Sequence, residues 1–130
     1  MPEGGSERPI RTPRDAEGAR RRERPVRCAV CRLIVTSPDA ALEVQGGHAH
    51  LCTNPAGVRF RVVCYAPAPG CVAVGEPTAW HSWFPGTRWR FANCRGCGTH
   101  LGWRFDPAPD APVAGSPPPF WGLIADHLER

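Results

Sequence analysis

A chain of 130 residues with 42% hydrophobic side chains is long enough for one packed core and too short for two comfortable ones. Its 16 prolines and 14 glycines interrupt it too often for long helices, which favours an all-β class of short strands and turns. The formal net charge of +4 does not mark a basic folded surface, because residues 1–27 carry eight arginines against five acids and are poor in aromatic and β-branched side chains.

Residues 1–26 therefore read as a disordered basic tail and residues 27–130 as the folded domain. Tails such as the one holding Arg20, Arg21, Arg22 and Arg24 are usually just solvated, so no nucleic-acid partner is expected. A Cys-x-x-Cys turn then leads into a short strand at 33–35, stopped by Ser37, Pro38 and Asp39. Residues 41–45 and 48–52 suggest two more strands of a β-meander, separated by Gly46 and Gly47. From Val58 the side chains alternate, with Phe60, Val62 and Cys64 on one face and Arg59 and Arg61 on the other, as in a half-buried strand. Further strands are expected at 71–74, 88–91 and 100–105, the last with Leu101, Trp103 and Phe105 on a common face. Residues 106–119 lack periodicity and read as a surface loop before Phe120 and Leu123 return to the core. Residues 124–130 suggest a frayed helical turn.

No apolar segment follows Met1 and no apolar run approaches the roughly 20 residues needed to span a bilayer, so a cytoplasmic protein without a membrane partner is expected. In a reducing compartment the seven cysteines should hold metal rather than pair as disulfides. Cys28 and Cys31, with Cys94 and Cys97, have the spacing at which two turns place four thiolates at the corners of a tetrahedron. One structural zinc follows, and with every corner taken by sulfur it has no open position for chemistry. Cys52, Cys64 and Cys71 lack such spacing and read as small buried hydrophobes.

Four of the five tryptophans fall between Trp80 and Trp103, around the second zinc turn, and could either fill a core or wall a pocket. Residues 81–89 (HSWFPGTRW), Cys94-Arg95-Gly96-Cys97, residues 100–105 (HLGWRF) and Phe120-Trp121-Gly122-Leu123 together resemble the CULT domain, the cereblon-type thalidomide-binding domain. Cys28-x-x-Cys31 and Asn54-Pro55-x-Gly57 match its earlier landmarks. The resemblance implies a β-tent, two antiparallel sheets joined by the zinc. It also implies a ligand cage with Trp83, Trp89 and Trp103 as walls, Phe105 as floor, and Asn54, His81 and Ser82 contributing to binding.

Such a cage would take a cyclic imide such as glutarimide, succinimide or a thalidomide-like compound, free or as the cyclised C-terminus of a damaged protein. The methylenes would meet the aromatic walls. If the segment is extended, the His81 carbonyl and Trp83 amide would point the same way and meet the imide edge. Trp121 is expected in the core and Trp80 at the mouth. Thr87 stands where an aromatic is expected in some relatives. The 130 residues leave no room for a ubiquitin-ligase adaptor segment, and a monomeric, non-enzymatic binding module is expected. The alternative is an enzyme resembling the methionine-R-sulfoxide reductases, which share the scaffold and the paired Cys-x-x-Cys turns. The expected strand at 100–105 lacks the cysteine that this chemistry needs.

Overall fold

Strand formation follows the alternation of apolar side chains, and the computed structural model describes it for residues 12–14, 16, 24–109 and 116–130. The strands are β1 (Val26–Cys28), β2 (Ile34–Thr36), β3 (Ala49–Thr53), β4 (Arg59–Tyr65) and β5 (Cys71–Thr78). β6 (Thr87–Cys94), β7 (His100–Pro107), β8 (Phe120–Ile124) and β9 (Leu128–Glu129) follow. They form two antiparallel sheets, a small one in the order β2-β1-β9 and a larger one in the order β3-β4-β8-β7-β6-β5. The all-β class expected from proline and glycine content is what the chain adopts.

Each face of the larger sheet has its own core. Val63, Tyr65, Leu101 and Leu123 pack toward β1, β2 and β9 through Val26, Val35 and Leu128. On the other face Val62, Cys64, Trp103, Phe105, Phe120 and Ile124 pack with Val44 and Phe84. Alternation along β4 is therefore real, but its C-terminal half is apolar on both sides because both sides are covered.

Leu101, Trp103 and Phe105 do not share a face as expected. Asn93 pairs with His100 and Ala92 with Gly102, so Leu101 is an unpaired extra residue that turns to the opposite side. Gly102 makes the irregularity possible: a Cβ there would sit 2.1 Å from the Gly122 carbonyl oxygen.

Three other expectations are corrected. Residues 41–45 form no strand. After the 3-10 turn Pro38–Ala40, Ala41 bridges Tyr65, and Val44 and Gly47 exchange hydrogen bonds across a tight turn. The meander fails with it, because β2 belongs to the small sheet and β3 to the large one. Residues 124–130 do not fray: a 3-10 turn, Ala125–His127, leads into β9, which pairs with β1. The expected tail lies outside the described residues except at 12–14, 16 and 24–26, and β1 begins at Val26, buried to 1% exposure. In the expected loop at 106–119, residues 106 and 107 extend β7 and residues 110–115 lie outside the described residues. No helix among the described residues is long and apolar enough to cross a membrane.

Candidate metal centre and ligand cavity

The two Cys-x-x-Cys turns are built alike. In the first, the Cys28 amide donates to the Leu33 carbonyl and the Arg32 amide to the Cys28 carbonyl. In the second, Cys94 donates to Thr99 and Gly98 to Cys94, the same pattern at the same offsets. The residue after the second cysteine is left-handed in both, Gly98 at φ 80° and Arg32 at φ 72°. Glycine adopts that conformation freely and arginine does so at a cost.

The sulfurs of Cys28, Cys31, Cys94 and Cys97 lie within 4.8 Å of one another. A zinc–thiolate bond of about 2.3 Å implies a tetrahedral S···S edge of about 3.8 Å. The Cys28–Cys97 separation is 3.8 Å and the Cys31–Cys94 separation 3.6 Å, so the cluster fits one zinc ion. The Thr99 hydroxyl, 2.9 Å from the Cys97 sulfur, helps bring that thiol down to about 6. The Leu33 amide favours the Cys31 thiolate too, yet desolvation and the neighbouring cysteine sulfurs raise it to about 11. Four such sulfurs need a cation between them to be thiolates together. Cys28 ends β1 and Cys94 ends β6, so a metal here ties the small sheet to the large one.

On the far side of the large sheet lies a cavity of about 230 Å³. Trp89 from β6, Trp103 and Phe105 from β7, Trp83 from the turn before β6 and Asn54 from the turn after β3 all line it. Trp83 and Trp103 meet edge to face at 4.7 Å between centroids, and Phe60 from β4 meets Trp103 at 5.3 Å. Indole N–H groups fix two walls: Trp83 donates to the Thr53 carbonyl at 2.9 Å and Trp89 to the Trp80 carbonyl at 2.8 Å. Phe105 is 1% exposed and stacks on Phe120 at 5.0 Å, which makes the floor continuous with the core.

No family model matches the chain. Known proteins do: it is 40% identical over 75 residues, 58% of its length, to protein cereblon of Danio rerio and, over the same share, of Gallus gallus. Against protein cereblon of Drosophila persimilis it is 32% identical over 109 residues, 78% of its length. The domain is cereblon-like. The chain spans only 16 to 17% of the length of these relatives, so the likeness concerns one part of them.

In this cereblon-like domain six of the seven residues expected to bind ligand border this cavity: Asn54, His81, Trp83, Trp89, Trp103 and Phe105. Ser82 does not. Its hydroxyl lies 2.7 Å from that of Thr87, and Thr87 is buried and donates to the Phe84 carbonyl at 2.6 Å. Thr87, at the place where an aromatic is expected in some relatives, thus joins Ser82 in pinning the turn that carries Trp83. Nor is the segment at His81 extended. The Ser82 amide closes a turn on the Ala79 carbonyl with His81 left-handed at φ 54°, so strand alternation does not align the His81 carbonyl with the Trp83 amide. Among the described residues, neither of those two backbone groups has a hydrogen-bond partner.

Phe60, Phe91 and His100 also line the cavity and were not anticipated as site residues. Phe60 was visible as the aromatic member of an alternating strand. His100 had no such signal: it meets Trp103 edge to face at 5.1 Å, its Nε2 lies 2.9 Å from the Gly102 carbonyl, and burial lowers its pKa. Trp80 is 66% exposed at the mouth. Trp121 is only half-buried, packed on the inter-sheet core with the Arg104 guanidinium 4.9 Å from its ring centroid. Cys52, Cys64 and Cys71 are buried. Burial pushes the Cys52 thiol up to about 11 and, with Cys52 beside it, the Cys64 thiol up to about 12. Burial and then Cys94 push the Cys71 thiol up to about 12.

Proposed function

We propose that the cavity captures a cyclic imide, free or at the C-terminus of a protein chain, and holds it without chemical change. The observation that carries this reading is the convergence of three indoles and Phe105 on one small space bordered by a turn whose His81 carbonyl and Trp83 amide have no hydrogen-bond partner among the described residues. A five- or six-membered imide has apolar methylenes for the aromatic walls and an N–H flanked by carbonyls for the turn. The Asn54 Oδ1 is committed to the amides of Ala56 and Val58, at 3.0 and 2.9 Å, so its NH₂ group is what remains for a ligand carbonyl. Trp83 and Trp89 use their N–H groups on the protein, so they contribute faces rather than donors.

The metal in this reading is zinc, and its role is structural because four sulfurs leave no position for substrate or water. Non-enzymatic capture is supported by the cavity lining, which includes no cysteine among the described residues, and by Cys52, Cys64 and Cys71, whose thiols burial keeps protonated and unreactive at neutral pH. Seven cysteines, none of them in a disulfide, suit a reducing compartment such as the cytoplasm.

Isothermal titration tests the reading. Glutarimide and succinimide should bind, and N-methylglutarimide should bind about ten- to a hundred-fold more weakly because the turn carbonyl that the ring would desolvate is left without an N–H partner. Trp83→Ala should abolish glutarimide binding while zinc content stays at one per chain. Trp103→Ala should do the same, with some loss of stability because Trp103 is only 7% exposed. Equal affinity for the N-methylated ring, or unaltered binding by Trp83→Ala, would contradict the assignment.

A further inference from the structure

The strands that carry Trp89 and Trp103 have a second face, and it is charged. Arg88 and Arg90 alternate with Trp89 and Phe91 along β6, and Arg104 and Asp106 alternate with Trp103 and Phe105 along β7. The register sets Arg90 opposite Arg104 and Arg88 opposite Asp106. Asp106 bridges two of the cations: its carboxylate accepts from Arg90 at 3.3 Å and from Arg104 at 3.1 Å. Arg88 has no ion-pair partner among the described residues.

Three guanidinium groups against one carboxylate leave an excess of two positive charges on a small, half-buried patch. Like charges directly opposite each other in a sheet are unfavourable. The Nε atoms of Arg88 and Arg90 are shielded from solvent and lack a hydrogen-bond partner among the described residues, which is unfavourable as well. Trp121 holds the third arginine in place through its ring. An external anion on the outer guanidinium N–H groups would relieve the first of these penalties.

We propose that this face binds an extended acidic peptide segment of a protein partner. Arg88 and Arg90 are two residues apart on one strand, so their side chains start about 6.7 Å apart. The same distance separates alternate side chains of an extended peptide, so Asp or Glu at every second position meets one arginine each with the peptide lying along β6. A nucleic-acid backbone is favoured less, because affinity for it comes from several phosphate contacts and this patch offers a net excess of only two positive charges. The surface is distinct from the imide cavity and needs no ligand there.

Fluorescence anisotropy with a labelled peptide of alternating Glu and Ser, at low salt and with the full chain, tests the proposal. Saturable binding is expected, weakened about tenfold by Arg88→Gln/Arg90→Gln, the loss expected for two partly exposed ion pairs. Thermal stability should not fall in that variant, because opposed like charges are removed, and zinc content should be unchanged, because neither arginine is near the cysteines. The tail arginines provide the control: Arg20→Ser/Arg21→Ser/Arg22→Ser should leave the affinity within about twofold. Retention of full affinity by the Arg88/Arg90 variant would overturn the proposal. So would a single-stranded oligonucleotide that binds more tightly than the peptide through the same two arginines.

Discussion

The metal centre and the cavity are assembled in opposite ways. Two hairpin turns with identical hydrogen bonds contribute all four sulfurs, so each half of the cluster is fixed within six residues of chain. The cavity takes its walls from β4, β6 and β7 and from two turns, and depends on how those elements pack. Each half of the metal site can be lost only by breaking its own turn, whereas the cavity can be lost from a distance.

The two sites are nevertheless joined through β6 and β7. Trp89 lies on the strand that ends at Cys94, and Trp103 lies on the strand that the second turn starts. Removing the metal should therefore disturb the cavity without touching any residue in it. Structural zinc contributes on the order of 10 kcal/mol in small domains, comparable to a domain's whole stability. Chelation with EDTA, or Cys94→Ser, should abolish cooperative thermal unfolding and imide binding together. Full imide affinity in metal-free protein would show the two sites to be independent.

A milder perturbation works from the cavity side. Thr87→Val removes the hydroxyl that donates to the Phe84 carbonyl and meets Ser82, leaving the turn that carries Trp83 less restrained. A buried hydrogen bond of this kind contributes about 1 kcal/mol, and roughly a fivefold loss of imide affinity is expected, with zinc content unchanged. The smallest effect belongs to the metal side. Arg32→Gly relieves a left-handed arginine at the position where the other turn has Gly98, and gives up the surface ion pair with Glu129. A net gain of about 0.5 kcal/mol, read as a small rise in melting temperature, is expected.

The same contrast decided what could be read from the sequence. Spacing alone identified the four cysteines, because the turn that brings each pair together is contained in the motif. The tryptophans could be placed on strands and in a turn, but composition left core and pocket equally open, and the family resemblance supplied the cage. Errors arose where a residue's direction depends on its partner strand. Leu101 was assigned to the wrong face because the register shift that turns it is a property of the β6–β7 pair. His81 was treated as extended, although a turn closed by Ser82 puts it in the left-handed region. β9 is two residues long and has no periodicity to detect; it exists because β1 offers it an edge. His100 borders the cavity through the same irregular stretch that displaced Leu101.

The five tryptophans provide the most direct test of the central claim, because each indole N–H gives its own resonance in a ¹H–¹⁵N spectrum. On titration with glutarimide, the signals of Trp83, Trp89 and Trp103 should shift together to a common saturation point. That of Trp121, on the opposite face beneath Arg104, should stay in place. An unchanged spectrum at saturating imide, or shifts confined to Trp121, would contradict the account.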